Sequence, residues 1–133
     1  MSHSFYNVWI HAVFATKERQ ALITPELEED LYPFLYAEFK ELGCNLKIVN
    51  GLSDHVHCLF MLDAQKSYAA VMKQIKGASS HYINQHNLIL EKFAWQKGYA
   101  AFSISKSEVD NIHNYIKNQK LKQESLEEEG LKL

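Results

Sequence analysis

The 133 residues carry 47% hydrophobic and 23% charged side chains, an ordinary balance for a globular chain that excludes wholesale disorder. No apolar run approaches the ~20 residues of a membrane span, so a membrane partner is not expected. The formal charge of −2 argues against nucleic-acid binding through bulk positive charge. Yet residues 17–41 hold three Lys/Arg against seven Asp/Glu, residues 43–119 eight against five, and residues 120–133 three against four, so the middle of the chain can present a modest positive face. One domain over residues 1–133 is expected, with 120–133 an acidic, solvated tail. Without a targeting segment the expected compartment is the cytoplasm. Cys44 and Cys58 form no C-x-x-C pair, lie in apolar surroundings and read as reduced, buried thiols.

The first predicted strand runs from Phe5 to Ala15 and is rich in aromatic and β-branched residues. Thr24-Pro25-Glu26 then announces a helix, with Thr24 as cap and Pro25 in the first turn. Leu27, Leu31, Phe34, Leu35 and Leu42 keep helical spacing until Gly43 stops it. Pro33, inside this pattern, should kink or divide the helix. Residues 44–51 alternate as a second strand, and the short link Leu52-Ser53-Asp54 turns the chain into a third at 55–62, so the pair should be an antiparallel hairpin. A second helix starts at the Ser67 cap and runs toward His86, with Met72, Ile75, Tyr82 and Ile83 on one side and Lys73 and Lys76 on another. Gly77 in its middle suggests close packing of another backbone. Residues 93–105 read as strand, turn and strand. Ser107 followed by Asp110 then resembles a capping box opening a last helix to about Lys120. The first six elements give a βαββαβ order, an α+β ferredoxin-like antiparallel sheet with helices on one face.

Within the third strand, His55-Val56-His57 places both imidazoles on the same face, because side chains alternate along a strand. Such a pair serves either as two metal ligands or as two hydrogen-bonded core histidines. On the last helix Ile112, Tyr115 and Gln119 form one stripe, with Val109 and Ile116 as core anchors on the neighbouring stripe. Taken alone, Tyr115 and Gln119 are an ordinary half-buried phenol and a surface amide. Taken with the histidines, they complete a chemistry. A hard cation, Mg²⁺ or Mn²⁺, accepts imidazole and amide oxygen and keeps positions open for phosphate. It would polarise a phosphodiester for attack by a tyrosine hydroxyl, leaving a covalent phosphotyrosine.

The chain resembles the single-tyrosine HUH transposases of small insertion sequences that move as single-stranded DNA, with their REP-associated tyrosine transposase relatives. The resemblance rests on residues 8–17 (Val8-Trp9-Ile10-His11-Ala12-Val13-Phe14-Ala15-Thr16-Lys17), Asp54-His55-Val56-His57, Lys76-Gly77-Ala78-Ser79-Ser80, Trp95-Gln96-Lys97-Gly98-Tyr99 and Tyr115-Ile116-Lys117-Asn118-Gln119. It covers roughly residues 5–120. It implies that His55, His57 and Gln119 bind the divalent metal and that Tyr115 is the nucleophile, taking the 5′-phosphate and releasing a 3′-hydroxyl. It also implies a homodimer that reads subterminal DNA hairpins, with the tyrosine helix able to complete a site on the partner. The acidic stretch after Lys120 departs from the more basic continuation common in the family, so that tail should lie away from DNA. Lys73, Lys76, Lys97 and Lys117 are the candidate phosphate contacts. Two other functions fit the same pattern: a domesticated HUH endonuclease that processes chromosomal repeat hairpins, and a non-catalytic ferredoxin-like dimer that binds nucleic acid or a ligand.

Overall fold

The computed structural model describes residues 7–121. Four strands, β1 (Trp9–Ala15), β2 (Asn45–Leu52), β3 (His55–Met61) and β4 (Ala100–Ile104), alternate with α1 (Pro25–Glu41), α2 (Tyr68–Gln85) and a terminal α3 (Val109–Lys117). They form one antiparallel sheet in the order β2-β3-β1-β4, the arrangement expected of a split-βαβ plan. β1 is central, running from Trp9 opposite Met61 to Ala15 opposite His55. It starts four residues later than expected, and of the expected start Phe5 and Tyr6 lie outside the described residues. The acidic tail from residue 122 onward lies outside them as well.

α1 forms where its signals stand. Thr24 Oγ1 accepts from the Leu27 N–H at 3.1 Å, Pro25 occupies the first turn, and Leu27, Leu31, Leu35 and Phe39 make one buried stripe. Pro33 does not divide the helix. It lies on the exposed side, where the carbonyl of exposed Glu29 loses its partner toward water. Gly43 ends the helix at a φ of 72°, and a Cβ there would strike the Asp63 carboxylate. Ser67 Oγ caps α2 by accepting from Ala70 N–H at 3.2 Å.

The sheet separates two environments. Ile10, Ala12 and Phe14 of β1 and Val56, Cys58 and Phe60 of β3 join the buried side chains of α1 and α2 in one core. α3 packs on the opposite face, where Leu59, Val109 and Ile116 make a smaller cluster with Trp9, Ile48, Ile104 and Ile112. Val109 and Ile116 are the buried anchors, as their spacing predicts. The free thiols Cys44 and Cys58 are buried, and burial raises the pKa of both.

Four local expectations need correction. The alternation in β2 is broken by a bulge between Leu46, opposite Phe60, and Ile48, opposite Leu59. Leu46 therefore faces the α1/α2 core while Ile48 and Asn50 face α3. Phe93–Trp95 is not a strand; only Thr16 and Trp95 bridge, and the aromatic residues there serve packing, with Trp95 4.6 Å from Phe14 and 4.7 Å from Phe93 between ring centroids. The Ser107/Asp110 capping box is not made. Residues Lys106–Glu108 form a 3₁₀ turn, Glu108 occupies the cap position without a side-chain cap bond, and α3 gives way to a turn at Asn118. Finally, a Cβ on Gly77 would meet nothing within 4 Å, so among the described residues no backbone packs closely there.

Candidate active site

His55, His57 and Leu59 leave β3 toward α3, because Val56, Cys58 and Phe60 are committed to the other core. The hairpin that delivers them closes through Ser53-Asp54, with Leu52 opposite His55. Gly51 permits that closure, since a Cβ there would collide with the His55 carbonyl.

Each histidine has one ring nitrogen tied down. His55 Nδ1 donates to Asp54 Oδ1 at 2.8 Å, and Asp54 Oδ2 is held 3.0 Å from Arg19 Nε. Burial alone would raise the Asp54 carboxyl, but the hydrogen bonds from His55 and Arg19 outweigh it and hold its pKa below the usual range. Arg19 reaches this position from a 3₁₀ turn in which Glu18 and Arg19 both have positive φ, 57° and 56°. Such conformations cost about 1–3 kcal/mol each in non-glycine residues and concentrate at functional sites.

His57 is 6% exposed, and its Nδ1 lies 2.9 Å from His11 Nε2. Burial, with repulsion from His55 and His11, pulls its pKa down to about 3, so the ring is neutral at neutral pH. When His57 Nδ1–H is the donor, its Nε2 keeps a lone pair, as His55 Nε2 does. That is the tautomer a ligating histidine needs. His11 was not singled out for a role from sequence; the alternation Trp9, His11, Val13 marks its face, but only the β1–β3 register brings it to His57.

α3 supplies the other half. The Tyr115 ring lies edge-on to His57, 5.7 Å between centroids, and to His11 at 6.2 Å, and Tyr115 is 43% exposed. Gln119 is 6% exposed and its Nε2 donates to the Tyr115 carbonyl at 3.2 Å, which leaves its Oε1 as an acceptor. Among the described residues no group of three His, Cys, Asp or Glu gathers to hold a metal. Imidazole nitrogen and amide oxygen, the donor types of His55, His57 and Gln119, are ones that Mg²⁺ or Mn²⁺ accepts.

A clasp fixes α3 above this site. Asn50, opposite His57 in β2, donates through Nδ2 to the carbonyls of Ile116 at 3.0 Å and Lys117 at 3.2 Å. These are terminal helix carbonyls that need outside donors. Lys120 Nζ donates to Asn50 Oδ1 at 2.6 Å and to the Gly51 carbonyl at 3.0 Å, and lies 2.8 Å from Glu28 Oε2. The sequence gives no periodic signal for this clasp.

The four candidate lysines differ in setting. Lys76 Nζ donates to the carbonyls of Gln96 at 2.7 Å and Gly98 at 2.8 Å, and burial lowers its pKa. At most one of its three donors is left for a phosphate. Ser79 Oγ accepts from Trp95 Nε1 at 2.9 Å, so the two motifs at 76–80 and 95–99 are one unit stitching α2 to the loop before β4. Lys73, Lys97 and Lys117 are exposed. Lys73 rides on α2, beyond the sheet from the histidines, whereas Lys117 is on α3.

A strand-borne histidine pair facing a helix-borne tyrosine on one side of a ferredoxin-like sheet defines the HUH class of single-tyrosine proteins. Within that class the chain belongs to the family of IS200-like transposases, whose model matches residues 4–119. It is 24% identical over 119 residues to the ISDra2 transposase TnpA of Deinococcus radiodurans, covering 86% of this chain and 85% of that protein. A putative transposase from D. radiodurans R1 shares the fold with a TM-score of 0.69 at 24% identity, over 90% of this chain and 95% of its own. A REP-associated tyrosine transposase bound to a REP hairpin matches with a TM-score of 0.65 at 18% identity, over 92% and 73%. Among the described residues no helix is long and apolar enough to cross a membrane.

Proposed function

We propose that this transposase cleaves and rejoins single-stranded DNA at insertion-sequence ends through a covalent link between Tyr115 and a 5′-phosphate. The observation that carries this reading is the meeting of Tyr115 with His57, in a site where both histidines have Nδ1 bound and can offer Nε2 outward. His55, His57 and Gln119 would hold Mg²⁺ or Mn²⁺, and a divalent ion there supplies positive charge to the phosphate oxygens. The chain's own groups do the rest. Asp54 and His11 orient the two imidazoles, and the clasp of Asn50 and Lys120 sets α3 so that the phenol faces the phosphate. The Tyr115 oxygen forms a bond to phosphorus as the bond to the 3′-oxygen breaks. The phenol gives its proton to water, and the leaving 3′-oxygen takes one up. The phosphotyrosine conserves a phosphoester, so a 3′-hydroxyl can reverse or redirect the cut.

The DNA ends are read as subterminal hairpins by a homodimer in the cytoplasm, and Lys73, Lys97 and Lys117, with the remaining donor of Lys76, make the phosphate contacts. A second reading, a domesticated endonuclease acting on chromosomal repeat hairpins, is supported by the shared fold with the hairpin-bound REP transposase. Its site would be the same; the DNA flanking the coding region separates the two.

The test is a denaturing gel. Wild-type protein, a cognate single-stranded end and Mn²⁺ should give a protein–DNA adduct resistant to detergent, and Tyr115→Phe should give none. An adduct that persists in Tyr115→Phe, or no adduct in the wild type with authentic ends, overturns the assignment.

A further inference from the structure

Among the described residues the face that carries the histidines is covered only in part. α3 packs over β2 and β3, closing on Leu59, Ile48, Trp9 and Ile104, and the β1–β4 side beyond it is more open. Phe102 lies on that side. It is opposite His11 in the register of β1 and β4, with its ring centroid 6.0 Å from that of His11. The His11 ring stacks 5.2 Å from His57 and stands 6.2 Å from Tyr115. Phe102 is 54% exposed, and Ala100, two residues before it on the same face, is exposed and too small to wall off the ring. A large apolar ring thus stands in water one side chain away from the proposed metal ligand and nucleophile.

We propose that Phe102 is the stacking platform for a nucleobase next to the scissile phosphate. The inference rests on the reading of the site as one that cuts single-stranded DNA. Unpaired bases present two apolar faces, and an aromatic side chain satisfies one of them whatever the base. The charge distribution points the same way. The chain carries a net charge of −2, and of the four candidate lysines only Lys117 lies on α3, so phosphate attraction alone supplies little grip close to the site. A stacked base would fix the strand beside Tyr115 without reading its sequence. Continuity with the His11, His57 and Tyr115 cluster favours a base over a second protein copy as the occupant, although β4 is a sheet edge.

The experiment places 2-aminopurine on either side of the cleavage position in a single-stranded end. Fluorescence on binding is read with wild-type, Phe102→Leu and Phe102→Tyr proteins, followed by steady-state cleavage with unlabelled DNA. Phe102→Leu should abolish stacking-induced quenching at one flanking position and raise KM about ten- to hundred-fold, with kcat at saturating DNA changed less than about threefold. Phe102→Tyr, which keeps the ring, should restore both. Unchanged quenching and KM in Phe102→Leu overturn the proposal. So does conversion of a dimer to a monomer by Phe102→Leu in light scattering, which would give the ring to a contact between copies. Because quenching reports binding without cleavage, a wild-type protein that stacks the base but forms no adduct condemns the cleavage reading and leaves Phe102 standing.

Discussion

The two faces of the sheet are built from the same strands and serve opposite ends. On the α1/α2 side Ile10, Ala12, Phe14, Val56, Cys58 and Phe60 are buried hydrocarbon or thiol, and the Phe39 and Phe60 rings lie 4.7 Å apart. On the α3 side the intervening residues His11, His55 and His57 sit among hydrogen bonds, with a small apolar cluster only where α3 lands. One face therefore carries the stability and leaves the other free to hold polar rings that contribute little to it. Among the described residues two α-helices cover the first face, whereas a nine-residue helix partly covers the second.

The comparison predicts a separation of effects. The largest should follow from His57→Ala, which removes a proposed ligand and leaves the Tyr115 ring without its neighbour. Cleavage should fall by about a thousandfold or more, and isothermal titration should show a matching loss of Mn²⁺ affinity, while the melting temperature moves by only a few degrees. A variant that keeps cleavage would return the pair to the status of core histidines. Phe60→Ala is the mirror experiment. It deletes a ring with no solvent exposure and should cost about 3–5 kcal/mol in urea unfolding. If the folded fraction still cleaves at the wild-type rate, the division between faces holds.

Much of this division was legible in the sequence. Alternation placed His55 and His57 on one face, and helical spacing placed Tyr115 one turn before Gln119, because both are local consequences of backbone geometry. The hairpin and the caps at Thr24 and Ser67 were readable for the same reason. The failures are tertiary. Aromatic residues at 93–95 mimic a strand because they are buried against Phe14, and the bulge at Lys47 leaves the composition of β2 unchanged while reversing which face Ile48 and Asn50 meet. No periodicity could show that α3 docks on the histidine face, since its seat depends on Asn50 and Lys120, seventy positions apart in sequence. Spacing assigns no role to His11 or Arg19, because their partners, His57 and Asp54, are brought to them only by the fold.

A smaller effect tests how the faces are joined. Lys120→Met would take the ammonium from Glu28 Oε2, in a side chain only 14% exposed, where the Tyr32 hydroxyl still donates, and would free the C-terminal end of α3. A cost of about 1–3 kcal/mol is expected, concentrated in α3. Hydrogen exchange should quicken at α3 amides before those of β1 and β3, and kcat should fall more than DNA affinity because Tyr115 and Gln119 lose their seat. Uniform loosening of the whole domain would mean that Lys120 is a general stabiliser and not part of the clasp.

The smallest effect should come from Gly77→Ala, on the outer side of the hydrocarbon face. Gly77 is an exposed helical residue with open space where a Cβ would stand, so the substitution removes backbone entropy from the unfolded chain and should stabilise by about 0.5–1 kcal/mol. Among the described residues nothing stands where a Cβ at Gly77 would be, so packing there does not account for the glycine. If the stabilised variant binds single-stranded ends as the wild type does, α2 is scaffold and the chemistry belongs wholly to the other face. If it binds them more weakly although it is better folded, a DNA backbone approaches α2 beside Lys73, and the substrate spans both sides of the sheet. Unfolding in urea and a salt series of DNA affinities, measured on the same preparation, decide between the two.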